Sequence, residues 1–372
     1  MFKTRAAYIL TALIFSVLAT AQNGITGNPD WQVKPSFNQG FILVHRISIG
    51  HLVKGYPAIY ELDFSKPSLG NKLWHHENNM PDMGVAFQCI DFKNPSQLGY
   101  AWSLAPYVEI PLNEKVKASR VVLRLLFGAT YITKSFDIHT NHKNIAIGGP
   151  VNAFVQFKWF WQLRLNRYLR FEPGFTFSHA SNGRYRNPNL GLNVVSLNAA
   201  LNWYIPSRKP RPVVTSIDSS TRVKSRNELV SMAAIGFNER TLNTPELHTY
   251  LLSIAYQRNV RNTHKFSLGL DYYYDQIYQQ DYLNTMNVPP EGIDRFRLSA
   301  KVGYSYNVGR ISFPIEVGYY VFQRTNPDAP IVSRLGVRYY SASGIVASFG
   351  LRTHFAVAYN FEYGLGYRFF IR

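Results

Sequence analysis

The stretch FRLSAKVGYSYNV, residues 296–308, decides how this chain folds. One set of alternate positions is Phe296, Leu298, Ala300, Val302, Tyr304, Tyr306 and Val308. The other is Arg297, Ser299, Lys301, Gly303, Ser305 and Asn307. Period-2 alternation predicts a strand with one apolar and one polar face. After a short turn at Asn307–Arg310, residues 311–321 repeat the pattern, with Ile311, Phe313, Ile315, Val317 and Tyr319 on the apolar side.

The same parity runs through 121–131 and 151–163, and further segments follow from 39–48 and 56–65 through to 360–371. A soluble sandwich also alternates, and three features separate the two folds. Many segments reach the ~9–11 residues a tilted strand needs to cross a bilayer. Aromatic residues recur on the apolar side, which suits interfacial girdles, while charge sits mid-strand on the polar side, as a wet lumen allows. The chain also ends on an alternating run, Phe361, Tyr363, Leu365, Tyr367, Phe369 and Ile371, resembling the assembly signal of outer-membrane barrels. The predicted fold is all-β: a transmembrane, outer-membrane antiparallel β-barrel. We expect one barrel domain over residues 22–372 with about 14 strands, in the range 12–16, one or two short N-terminal segments being discounted.

Residues 1–21 read as a signal peptide: Lys3 and Arg5, an apolar core from Ala6 to Ala19, and the small-x-small pattern Ala19-Thr20-Ala21. No later segment has 18 uninterrupted apolar residues, so no helix is expected to cross a membrane. The net charge of +18 favours anionic lipids or phosphorylated sugars as partners, and export argues against nucleic acid. Cys89 is the sole cysteine, so no intramolecular disulfide forms. The basic stretch 207–226 is expected as a long periplasmic turn.

One polar cluster breaks an apolar stripe. In FSHASNGRYRNPNLGLN, residues 177–193, His179 and Ser181 continue the lipid-side parity of Leu169, Phe171, Phe175 and Phe177. Asn193 shares the parity of Val195, Leu197 and Leu201 on the following strand. All three are therefore expected on the outer wall near the extracellular rim. Residues i and i+2 of a strand face lie ~6.6–6.8 Å apart, so imidazole and hydroxyl can meet by rotamer choice. A serine hydroxyl needs such a base to act as a nucleophile, and the base needs a third group to orient it. Asn193 is placed to be that group, and an acyl ester of an outer-leaflet lipid is the substrate such a unit would meet. Interfacial polar residues leaving the membrane are the plainer alternative. His45 and His51 lack a third ligand at recognisable spacing, so no metal site is expected, and His139 and His142 fall in a surface loop.

The run HASNG (179–183) followed by PNLGLN (188–193) resembles the lipid A 3-O-deacylase (PagL-like) family, especially its larger relatives, the acyloxyacyl hydrolases. FILVHRISIGHLVKGYPAIYELDF (41–64) and NHKNIAIGG (141–149) are similar to the same relatives, so the resemblance covers roughly residues 39–206. It implies His179 as general base, Ser181 as nucleophile, and Asn182 with Gly183 near the oxyanion. The family's acid falls where this chain has Asn193, a departure, and Glu172 has the wrong parity to replace it. The H-x-S-N-G-R pattern with an asparagine at +14 also resembles outer membrane phospholipase A, which would bring a calcium requirement; otherwise no cofactor is expected. Arg184 and Arg186 are candidates for contacting lipid phosphates.

The resulting expectation is an outer-membrane serine esterase that removes an acyl chain from lipid A. Its rivals are a phospholipase A on the same scaffold and a barrel or porin without activity. Beyond lipid, the only other expected partner is the outer-membrane assembly machinery.

Overall fold

A computed structural model describes residues 29–371 apart from 114–118, 207–216, 221–224, 243, 326–328 and 356. The expected signal peptide lies outside the described residues. Alternating segments became strands throughout. The first eight are β1 (Pro29–Ile42), β2 (Ala58–Lys66), β3 (Asp82–Asp91), β4 (Tyr100–Pro111), β5 (Ser119–Ile132), β6 (Val151–Arg164), β7 (Leu169–Ser181) and β8 (Leu192–Pro206). The next eight are β9 (Asn227–Glu239), β10 (Glu246–Asn259), β11 (His264–Asp275), β12 (Phe296–Val308), β13 (Ile311–Phe322), β14 (Ile331–Tyr340), β15 (Ile345–His354) and β16 (Val357–Ile371). Two short helices, α1 (Leu73–Glu77) and α2 (Gln276–Met286), lie in connections.

The strands form two closed barrels of eight, β1–β8 and β9–β16. The expectation of a single barrel of about 14 strands is thus corrected, while the antiparallel β-barrel class holds. The first closure pairs Val33 with Trp203 and Phe41 with Val195. The second pairs Phe361 with Phe237 and Tyr367 with Ser231. Stretch 207–226 is accordingly the connection between barrels and not a turn within one; of its described part, Asp218 accepts from the Leu73 N–H at 2.9 Å. The first strand also starts earlier than read, at Pro29, and ends at Ile42, inside the expected segment 39–48. Residues 47–52 form a 3-10 turn instead.

The outward faces are apolar, with Trp102, Trp161, Phe175, Leu197, Leu268, Tyr319 and Leu365 exposed. The inward faces are filled with paired charges. Arg124 donates to Glu61 at 2.5 Å, to Glu109 at 2.6 Å and to Asp63. Lys34 spans Glu109 and Glu172 at 2.7 Å each. In the second barrel Arg334 reaches Glu362 at 2.6 Å and both Asp271 and Glu316 at 2.9 Å. Arg297 and Arg352 share Asp275. An eight-stranded barrel has an interior that side chains just fill. The mid-strand charges that suggested a wet lumen are therefore partners of one another. At one end of the first barrel, where β7 runs into β8, Ile49, Leu52, Phe92, Ile147 and Phe154 add an apolar plug.

The barrels touch at both ends and between. Glu239, ending β9, accepts from the Asn187 N–H of the β7–β8 loop. At the opposite end Tyr306 donates to Asn78 Oδ1 at 2.8 Å. The rings of Phe127 and Phe349 pack with centroids 4.9 Å apart.

Candidate active site

The site forms where β7 and β8 meet the loop 182–191. His179 and Asn193 are direct cross-strand partners, so their outward side chains stand side by side as neighbouring strands dictate. Ser181 lies two residues farther along β7, on the same face. The lumen-side neighbours Thr176, Ser178 and Ala180 are buried inside the barrel. The outward placement expected from parity is what the structure has.

His179 Nε2 lies 2.9 Å from Ser181 Oγ, and His179 Nδ1 lies 2.6 Å from Asn193 Oδ1. The amide oxygen can only accept, so Nδ1 carries the proton and Nε2 presents its lone pair to the hydroxyl. Ser181 is only 5% exposed. Gly191 closes over the pair with φ +76°, and a β-carbon there would come within 2.9 Å of His179 Cε1. Only glycine suits this position.

A fourth residue joins the chain of hydrogen bonds. Asn193 Nδ2 donates to His45 Nδ1 at 3.0 Å, and His45 Nε2 reaches the Leu190 carbonyl at 3.0 Å. A longer 3.4 Å approach of His45 Nδ1 to the Leu43 carbonyl competes, but the shorter carbonyl contact calls for the proton on Nε2. This residue was not among the sequence-derived site residues. It sits beyond the end of β1 and 148 residues from Asn193, so no strand periodicity marks it. Its only signal was its place inside the segment 41–64.

Asn182 is committed to the loop: its N–H donates to Asn189 Oδ1 at 3.1 Å, and Nδ2 to the Arg186 carbonyl at 2.9 Å. Gly183, at φ +62°, is pressed by Phe361 of the second barrel. The Arg184 carbonyl accepts from the Glu239 N–H at 3.0 Å. Arg186 is more than half exposed, 4.0 Å from Glu239. Glu172, discounted by parity, faces the lumen and pairs with Lys34. His51 contacts the Lys143 carbonyl at 2.7 Å, and His139 and His142 are exposed loop residues, so none of the three joins the site.

The loop is also braced from β5–β6. Gly191 N–H donates to the Ala146 carbonyl at 2.9 Å, and Gly148 packs against the Arg186 and Pro188 backbone. The segments 41–64, 141–149 and 179–193 thus converge on one spot.

Comparison with known proteins agrees with this architecture. Residues 59–202 match the family model for lipid A 3-O-deacylase (PagL), and residues 227–371 match that for the acyloxyacyl hydrolase C-terminal domain. No curated protein matches the chain. Among solved structures it is similar to the outer membrane enzyme PagL, at 14% identity over 45% of this chain and 97% of that one, with a TM-score of 0.33. Neisserial surface protein A follows at 8% identity over 48% and 99%, TM-score 0.31. A Rhodopseudomonas blastica porin triple mutant shares 6% over 91% and 100%, TM-score 0.17. The closed barrels with apolar outer walls, together with the match to lipid A 3-O-deacylase (PagL), make this an outer-membrane β-barrel protein. The first match runs from β2 into β8 and the second takes in β9–β16, so the first barrel matches the lipid A 3-O-deacylase (PagL) family and the second the acyloxyacyl hydrolase C-terminal domain.

Proposed function

We propose that the protein is a serine esterase that removes an acyl chain from lipid A, with Ser181 as nucleophile, His179 as base and Asn193 as the group that orients the base. The observation that carries this reading is the unbroken hydrogen-bonded series Ser181–His179–Asn193–His45 on the lipid-facing wall. Ser181 Oγ attacks the ester carbonyl carbon while His179 Nε2 takes the hydroxyl proton. As the bond to the sugar oxygen breaks, the imidazolium returns that proton to it, releasing the sugar hydroxyl and leaving an acyl-serine. Water, activated by the same imidazole, releases the fatty acid. Because Asn182 is tied to its own loop, the backbone N–H of Gly183 is the better donor to the developing oxyanion.

An asparagine can serve here only if its oxygen, not its nitrogen, faces the imidazole. The reversed amide would donate to Nδ1 and force the proton onto Nε2, disabling the base. His45 supplies the acceptor that holds Nδ2 away from His179, so we assign it as a positioning residue. We assign Arg184 and Arg186, on the loop beside the serine, to contacts with lipid phosphates.

A phospholipase A is the second reading, favoured by the amide at Asn193; calcium belongs with that reading alone. Mass spectrometry of lipid A and phospholipids from cells expressing the wild type or Ser181→Ala separates the two. Loss of one acyl chain from lipid A, dependent on Ser181 and indifferent to EDTA, is the expected result. Lysophospholipid accumulation that EDTA abolishes would move the substrate to phospholipid. Replacing Arg184 and Arg186 with Gln should weaken action on phosphorylated lipid A more than on a neutral ester; equal effects would remove them from substrate recognition.

A further inference from the structure

The outer wall of the second barrel stands against the site, with Phe361 over Gly183. Between the two barrels lies a cleft of about 750 Å³, within the ~300–1,000 Å³ range of small-ligand pockets. Its floor on the first barrel is set by strand register. Ser181 on β7 is opposite Ala153 on β6, and Ala153 is opposite Ala129 on β5. Neighbouring strands lie ~4.7–4.9 Å apart, so two small side chains carve a trough roughly 10 Å long leading away from the nucleophile. Phe127 flanks the trough, and Phe237, Phe349 and Phe361 of the second barrel form the facing wall. The lining is mainly apolar, with Asn152 and, on the side of the loop 182–191, Asn182 and the exposed Arg186 as its polar members.

We propose that this inter-barrel cleft holds the acyl chain being cleaved, so that the second barrel acts as the outer wall of a substrate site. The inference rests on the esterase reading and deepens it. An ester carbonyl placed at Ser181 must send its hydrocarbon tail along some outward surface. The row of alanines is the one continuous with the serine, and burial between two protein walls lets the site measure chain length. The cation on the loop side suits the phosphorylated head of the same lipid, placing head and tail at opposite ends of one groove.

The test uses the full chain in detergent, with p-nitrophenyl butyrate and p-nitrophenyl myristate as probes. Ala129→Trp fills the trough from an exposed position, and Phe349→Ala removes part of the facing wall. Correct folding is checked by heat-modifiable migration on gels. The myristate-to-butyrate ratio of kcat/KM is expected to fall at least about tenfold in Ala129→Trp, fewer than two methylenes' worth of burial at ~0.8 kcal/mol each. Phe349→Ala should lower it severalfold. A ratio within twofold of the parent in both folded variants would overturn the cleft as acyl site. A second arm keeps the two readings apart: a myristoyl ester with a terminal diazirine is photolysed on Ser181→Ala protein. Cross-links to the peptide containing Phe349 support the cleft even if the wild type hydrolyses nothing, an outcome that would sink only the esterase reading. Cross-links confined to the outward strands remote from the cleft overturn the proposal.

Discussion

At the level of single residues, the proposed catalysis turns on the direction of one amide. A carboxylate offers the same atom whichever way it turns, whereas Asn193 must be held with Oδ1 toward His179. Asn193→Asp keeps the side-chain length and removes the ambiguity, so it should also remove the need for His45. We expect His45→Ala to lower kcat about tenfold in the Asn193 protein, with KM little changed, and less than about twofold in the Asn193→Asp background. Equal losses in both backgrounds, read from steady-state kinetics with a short-chain ester, would make His45 a structural residue only. His179, Ser181 and Asn193 were legible in the sequence because strict alternation fixes which face each side chain takes. His45 was not, because it acts from a loop, where spacing carries no facing information.

At the scale of elements, the loop 182–191 is held more by its neighbours than by itself. Its carbonyl at Arg184 and its N–H at Asn187 are both partnered by Glu239 from the end of β9. A hydrogen bond to a charged acceptor is worth ~1.5–3 kcal/mol, enough to set the population of the closed loop. Glu239→Ala is expected to leave both barrels folded, raise protease cleavage within 182–191 and lower kcat severalfold. Unchanged cleavage and unchanged kcat would show that the loop is self-supporting. The strands themselves were readable from their period, although of the first segments 56–65 became β2 while 39–48 is strand only as far as Ile42. The start of β1 was misread because the apolar run 41–49 drew the segment forward, although Trp31, Val33 and Phe37 face outward and Gln32, Lys34 and Asn38 inward, as alternation requires.

At the scale of the whole molecule, two narrow barrels replace one wide one. Alternation specifies that a strand has a wet and a greasy side, but not which strand closes on which. The pairing of β1 with β8, or of β16 with β9, joins residues remote in sequence and leaves no local trace. Two small interiors have a physical consequence: every inward charge must find a partner. Removing Arg124 leaves Glu61, Asp63 and Glu109 facing one another without their shared cation, and breaking a buried pair costs ~3–5 kcal/mol. Arg124→Leu should therefore lower the unfolding midpoint in urea markedly, and parent protein in planar bilayers should show no steady ion conductance. A stable conducting channel would instead restore the porin alternative.

The proposed chemistry requires Ser181 to be an activated nucleophile on the outer wall. Its most direct test is covalent trapping: the purified full chain is treated with a fluorophosphonate and the modified peptide identified by mass spectrometry. A single phosphonylated residue, Ser181, is expected, with labelling lost in His179→Ala and slowed in Asn193→Ala. An unlabelled Ser181 in protein that still hydrolyses ester, or hydrolysis that survives Ser181→Ala, would contradict it.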